Sequence, residues 1–142
     1  MIRELKQADL ASVMQIWLDA NKEAHAFVPA SYWESQFDLV KELISQAEVY
    51  VFEDGKEPGI QGFIGLADGF VAGLFVRVEH RSQGIGRQLL DHAKKPYSSL
   101  SLTVYQKNVR AIAFYEREGF QETGRRIDEA TAEPELVMEW YR

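Results

Sequence analysis

Apolar positions along this chain fall into two rhythms, one of period two and one of period three to four, which alternate from end to end. Met1 to Lys6 has the alternation of a short strand. Asp9 stands where a helix cap belongs, and Leu10, Val13, Met14, Trp17 and Leu18 then recur at helical spacing, with Trp17 read as core. This helix is expected to give out near Asn21, leaving Ala24 to Pro29 as a loop. Ser31 and Glu34 have the spacing of a capping box, opening a second helix with Trp33, Phe37, Val40 and Ile44 on one face. Strands follow at Val49–Phe52 and Ile60–Ala67, with a turn through Asp54-Gly55 between them. Asp68-Gly69 then predicts a hairpin into Phe70–Val76. A helix over 84–94 is stopped by Pro96, because the residue before a proline is pushed out of helical geometry. Leu100 to Val104 is apolar enough for a strand buried on both faces. A last helix follows Asn108 and ends at Gly119 in the C′ place. Phe120–Ile127 and Leu136–Trp140 close the chain as a hairpin around a charged loop. The predicted order is β-α-α-β-β-β-α-β-α-β-β, without repeats or linkers.

Composition narrows the picture only a little. At 142 residues and 46% hydrophobic content, the chain is expected to fold as one domain, residues 1–142, around a single core. No apolar run approaches eighteen residues and no basic-then-apolar segment opens the chain, which predicts neither a membrane span nor a signal peptide. The lack of cysteine excludes disulfides, thiolate metal sites and a cysteine nucleophile, and with the missing signal it predicts a cytoplasmic protein without metal. A net charge of −6 argues against nucleic acid as a main partner. It suits a cationic amine, and equally an ordinary acidic surface.

The chemistry concentrates after the fourth strand. There Arg81-Ser82-Gln83-Gly84-Ile85-Gly86 places two glycines at a helix start. Unpaired N–H groups of the first turn and the positive end of the helix dipole make such a terminus an anion site. It is not a P-loop, since no Gly-Lys-Ser/Thr occurs in the chain. A dinucleotide fingerprint is excluded too: Leu89 takes the place of the third glycine, and no Asp or Glu lies between Asp91 and Glu116. What remains is Arg-x-x-Gly-x-Gly. Further on, after the strand-like Leu100–Val104, the chain reads Asn108-Val-Arg-Ala-Ile-Ala-Phe-Tyr115-Glu-Arg-Glu-Gly-Phe120.

Together, over residues 70 to 121, these two stretches resemble the paired signatures of the GNAT superfamily of N-acetyltransferases. His25-Ala-Phe-Val-Pro-Ala-Ser-Tyr-Trp33 and Val104-Tyr-Gln-Lys-Asn108 further resemble the small bacterial branch represented by YiaC and YjaB. The resemblance implies an α/β fold, a twisted mixed sheet of about seven strands flanked by about four helices. Its fourth and fifth strands splay around acetyl-CoA.

It also implies roles. Pantetheine would pair with backbone near Phe75 and Val76, where the family has a strand bulge for which Gly73 is a candidate. The diphosphate would take N–H groups of Gln83, Gly84, Ile85, Gly86 and Arg87, with the Arg81 side chain close by. Asn108 fits two roles, a hydrogen bond to the cofactor and the N-cap of the following helix. Tyr115 would act as general acid toward the departing thiolate; packing between helix and sheet is its other reading.

Acetyl would pass directly to a primary amine, of a small molecule or of a protein lysine or N-terminus. A base must take the amine proton. Many relatives carry a glutamate for this on the strand before the phosphate loop, but Gly69–Val76 holds no Asp, Glu or His. Glu79 is the nearest acid along the chain. His25 is the other candidate, set in the loop over the acceptor side and expected to titrate near neutrality; equally, it could hold that loop by hydrogen bonds. Phe27, Tyr32 and Trp33, with His25, are candidates for the acceptor pocket, or for core. The partners implied are thus acetyl-CoA and an amine, with the chain a monomer or homodimer. The alternative function is a non-catalytic acetyl-CoA-binding sensor or regulator.

Overall fold

The computed structural model describes residues 1–55 and 59–142. Seven strands and four helices follow the expected order: β1 Ile2–Glu4, α1 Leu10–Ala24, α2 Ala30–Gln46, β2 Glu48–Phe52, β3 Gly62–Ala67, β4 Phe70–Val76, α3 Ile85–Lys94, β5 Ser99–Tyr105, α4 Val109–Arg117, β6 Gln121–Asp128 and β7 Glu133–Tyr141. They form one mixed sheet in the order β1-β2-β3-β4-β5-β7-β6, antiparallel throughout except where β4 meets β5.

The apolar residues divide between the two faces of that sheet. On one face α1 and α2 lay Val13, Met14, Ile16, Trp17 and Trp33 over Val49, Val51 and Phe63. On the other, α3 and α4 lay Ile85, Leu89, Leu90, Ala93 and Tyr115 over Ile64, Leu66, Leu100, Leu102 and Met138. The strand covered on both faces is β3, buried from Gly62 through Leu66. The corresponding expectation for β5 is corrected: Leu100, Leu102 and Val104 are buried, but Ser101, Thr103 and Tyr105 on the opposite face are only half-covered. The β3–β4 turn is as expected, with Asp68 and Gly69 both at positive φ (49° and 82°), the geometry that joins twisted strands in two residues.

Three local readings give way to longer-range contacts. Helix α1 runs three residues past Asn21. Asp9 does not cap it; its carboxylate accepts from Lys6 N (2.8 Å) and forks onto the Arg3 guanidinium at 2.7 and 3.0 Å, pinning β1 to the start of α1. Ser31 and Glu34 form no capping box either, because α2 already begins at Ala30 with Pro29 before it, and Glu34 instead pairs with Lys22 at 2.7 Å.

Asp9 is nearly buried, and the Arg3 bond holds its carboxyl below its ordinary value. Asp9→Asn should therefore destabilise the fold by about 1–3 kcal/mol, the cost of breaking charge-assisted bonds to a covered group. Because the folded value is depressed, the contribution is full above the unfolded pKa of about 3.9 and fades as pH falls below it. Urea unfolding at pH 7 and at pH 3 checks both the loss and its decrease toward acid.

Candidate active site

Strands β4 and β5 run parallel and meet at Phe70–Ser101, with Ser101 N donating to Gly69 O at 3.0 Å. Beyond that pair they part. The β5-facing edge of β4 is thereby left open from Leu74 to Val76, and these residues line a cleft of about 1130 Å³ whose other walls come from the end of α1, α3 and the residues that follow β5. A register shift opposite Gly65–Leu66 leaves Ala72 as the extra residue of β4, immediately before Gly73. The bulge therefore falls beside the glycine the sequence singled out.

The cleft has two lips. On the β4 side, Arg81, Ser82 and Gly84 lead into α3. Gly84 is its N-cap residue at φ +80°, a left-handed conformation that glycine adopts without strain. Ile85, Gly86 and Arg87 follow, and their N–H groups belong to the first helical turn, which has no earlier carbonyls to bond. On the β5 side, α4 starts behind Asn108, whose Oδ1 accepts Ala111 N at 3.2 Å and so caps the helix. Two helix N-termini thus border one cleft.

Its charge balance is opposite to that of the chain. Arg81, Arg87, Lys94, Lys107, Arg110 and Arg117 line it against Glu23, Asp91 and Glu118, in a protein of net charge −6. Such a cleft favours an anionic ligand.

The deepest titratable group on the α4 side is Tyr115. Its ring is buried between Phe114 (5.2 Å) and Phe120 (5.5 Å), and it lines the cleft. Burial alone pushes the phenol above its ordinary value, so that it stays protonated across the working range.

Other sequence candidates lie elsewhere. Glu79 is exposed in the turn 78–80 and does not line the cleft, because that 3-10 turn carries it outward. Gln83 is likewise exposed and off the lining. Phe27, Tyr32 and Trp33 also stay out of the cleft; they pack with Tyr105 and His25 in a set of rings at 4.9 to 6.5 Å, all edge-on except the tilted His25–Trp33 pair, with Trp33 in the α1–α2 core and Phe27 and Tyr32 partly buried against it. His25 does line the cleft, but it is buried, with Nδ1 3.0 Å from Asn21 Oδ1 and Nε2 3.0 Å from Asn108 Nδ2. Desolvation takes its pKa down to about 4, and Glu23 only partly offsets this. The expectation of a neutral-range titration is therefore corrected.

Sequence reasoning missed Glu23. At the end of α1 it forks onto Arg81 at 2.6 and 3.0 Å, bridging α1 to the loop before α3. Arg81 holds its carboxyl below the ordinary range, which makes it a poor base. No periodicity in α1 marks a residue whose partner lies 58 positions away.

The acetyltransferase (GNAT) domain family matches residues 45–122, the segment that holds both lips of the cleft. Over 143 aligned residues the chain is 34% identical to the peptidyl-lysine N-acetyltransferase YiaC of Escherichia coli K12, covering 99% of this chain and 96% of that protein. The peptidyl-lysine N-acetyltransferase YjaB of the same organism is 29% identical over 87% of this chain and 84% of its own. The solution structure of apo YjaB from Escherichia coli superposes with a TM-score of 0.84 at 28% identity, spanning 99% of this chain and 96% of that one. With the splayed strands, the glycine-started helix and these relatives in agreement, the chain belongs to the GNAT family of acetyltransferases.

Proposed function

We propose that residues 1–142 act as one acetyl-CoA-dependent N-acetyltransferase domain whose acceptor is the ε-amine of a protein lysine. The observation that carries the cofactor reading is the basic cleft at the open edge of β4, bordered by two helix N-termini in an otherwise acidic chain. The diphosphate lies against the first turn of α3 and the Arg81 guanidinium. Pantetheine follows the open edge of β4 along Leu74–Val76, passing Asn108 on the other lip. The lysine reading rests on the activity named for YiaC and YjaB, with which this chain aligns nearly end to end.

The acetyl group moves directly from sulfur to nitrogen, through a tetrahedral intermediate. The neutral amine adds to the thioester carbonyl, the C–S bond breaks as Tyr115 gives its proton to the leaving sulfur, and the proton then lost by the nitrogen returns Tyr115 to the phenol by way of water. An amine with pKa near 10.4 costs about 4–5 kcal/mol to deprotonate at pH 7, at 1.36 kcal/mol per unit. No carboxylate of β4 is available for this proton. His25 is held by two amides, so the proton leaves through water in the open cleft.

CoA thiol release tests the acceptor. Lysine peptides should support turnover at least tenfold faster than spermidine or peptides with only an N-terminal amine. Equal or faster turnover of the polyamine would overturn the lysine assignment.

The Glu23–Arg81 pair adds a second check. If the diphosphate takes Arg81 from Glu23, then Glu23→Gln removes a competitor. Because the pair is partly exposed, it is worth no more than about 1 kcal/mol. Calorimetry should show acetyl-CoA binding tightened by up to about fivefold; weaker binding would mean that Glu23 supports the site rather than competing for it.

A further inference from the structure

His25 has a use of both ring nitrogens that leaves none for proton transfer. The two amides facing it are oriented by bonds of their own. Asn21 Nδ2 donates to Trp17 O at 2.9 Å, which turns Asn21 Oδ1 toward the ring. Asn108 Oδ1 accepts the Ala111 N–H at 3.2 Å, which turns its Nδ2 toward His25 Nε2. One arrangement of protons satisfies all four contacts: His25 is neutral, donates from Nδ1–H to Asn21 and accepts at Nε2 from Asn108. A proton on Nε2 would set two donors face to face at 3.0 Å.

The chain of bonds runs from the Trp17 carbonyl in α1 to the first turn of α4, between residues 83 positions apart in sequence at its central link. It crosses the mouth of the cleft, since His25 and Asn108 both line it.

We infer that His25 is a positioning residue, whose neutral ring accepts one Asn108 N–H and, with the cap bond from Ala111, locks that amide so that its second N–H is left for the cofactor. This rests on the reading of Asn108 as a cofactor contact. Burial supports it, by holding the ring neutral at every pH at which the enzyme would work. Of the remaining neighbours, the three aromatic rings carry no charge, and Glu23 alone favours the protonated ring. Phe27, Trp33 and Tyr105 present aromatic edges and faces, and the Tyr105 hydroxyl is turned to Asp128 at 2.7 Å; Glu23 is the charged group that acts on His25. A His25 that received the amine proton would have to release Asn108 in every turnover.

Two measurements on the full chain test this. The first is the imidazole nitrogen spectrum of the parent protein. It should show a pyrrole-like Nδ1 and a pyridine-like Nε2 for His25, unchanged between pH 5.5 and 8.5. The opposite tautomer, or a ring that titrates in that interval, would overturn the inference.

The second compares His25→Leu with His25→Gln. The leucine variant should weaken acetyl-CoA binding about tenfold, what one hydrogen bond of ordinary strength is worth, with kcat at saturating acetyl-CoA within about threefold of the parent. The glutamine variant, whose amide oxygen can accept from Asn108, should recover most of that affinity. Both should keep the acidic limb of the parental pH–rate profile. Unchanged affinity in the leucine variant, or a fall in kcat with a displaced acidic limb in the glutamine variant, would contradict the assignment. If the leucine variant does not fold, the tautomer and the glutamine variant decide alone. A parent protein that binds no acetyl-CoA would instead overturn the cofactor reading itself, which separates the two failures.

Discussion

Tyr115→Phe should lower kcat about 10²-fold while leaving acetyl-CoA affinity within about twofold. The substitution keeps the ring that packs between Phe114 and Phe120 and removes only the hydroxyl. As the tetrahedral intermediate collapses, CoA leaves as a thiolate; a simple thiol has a pKa of about 8.5, so at pH 7 a proton or strong hydrogen bond helps it go. General acid catalysis contributes typically 10²–10⁴-fold, and because a thiolate already leaves fairly well, the low end applies. Burial makes the phenol a weaker acid, which is a further reason for the low end. By raising the phenol above its ordinary value it keeps the donor protonated, and the rate should show no loss from Tyr115 ionisation up to pH 10. Steady-state kinetics with a lysine peptide measures this. A phenylalanine variant at the parental rate would return Tyr115 to the core.

The second large effect is expected at Gly84. Saturating acetyl-CoA should stabilise the parent by about 2.7 kcal/mol at a hundred times its dissociation constant. Gly84→Glu should abolish that increment. The cause is not crowding, since an added Cβ would meet only Gln88 Nε2, at 3.8 Å. It is a carboxylate placed at an anion site, on a backbone whose φ of +80° already costs a non-glycine residue about 1–2 kcal/mol. Gly84→Ala separates the two: it carries the backbone strain without the charge, and so should lower the melting temperature yet keep a measurable response to acetyl-CoA. Equal acetyl-CoA responses in the parent and the glutamate variant, read by thermal shift, would place the diphosphate elsewhere.

What was legible in the chain was whatever is encoded within about a dozen consecutive residues. Asp68-Gly69 names its own turn and Pro96 its own helix stop, because each acts on backbone geometry at its position. The element order followed from these marks and from the two periodicities. Both lips of the cleft followed from continuous motifs, Arg81–Gly86 and Asn108–Phe120.

Caps and charges were less legible, because a polar side chain takes the best partner the fold offers. Asp9 has the right type and place for a cap, but Arg3 supplies two charge-assisted bonds instead. Ser31 and Glu34 have capping-box spacing, but the helix had already started at Ala30. His25 was legible as a residue of the site and illegible in its role, since that role depends on Asn108 and Asn21 being turned toward it by two further bonds. The same holds for Glu23, whose significance lies in Arg81 and not in its own surroundings along α1. The loop aromatics Phe27, Tyr32 and Trp33 were read on both sides, pocket and core; the packing of α1 against α2 buries Trp33 and leaves Phe27 and Tyr32 partly covered against it.

The most direct test of direct acetyl transfer from a cofactor at the open edge of β4 is a single-turnover experiment with acetyl-labelled acetyl-CoA. Protein and cofactor are mixed with and without a lysine peptide, and the label is followed on protein and peptide separately. The account predicts label on the peptide ε-amine, one free CoA thiol for each acetyl transferred, and none held by the protein at any time. Stable label on the chain before the peptide reacts, or bound acetyl-CoA that never transfers its acetyl group to any amine, would contradict it.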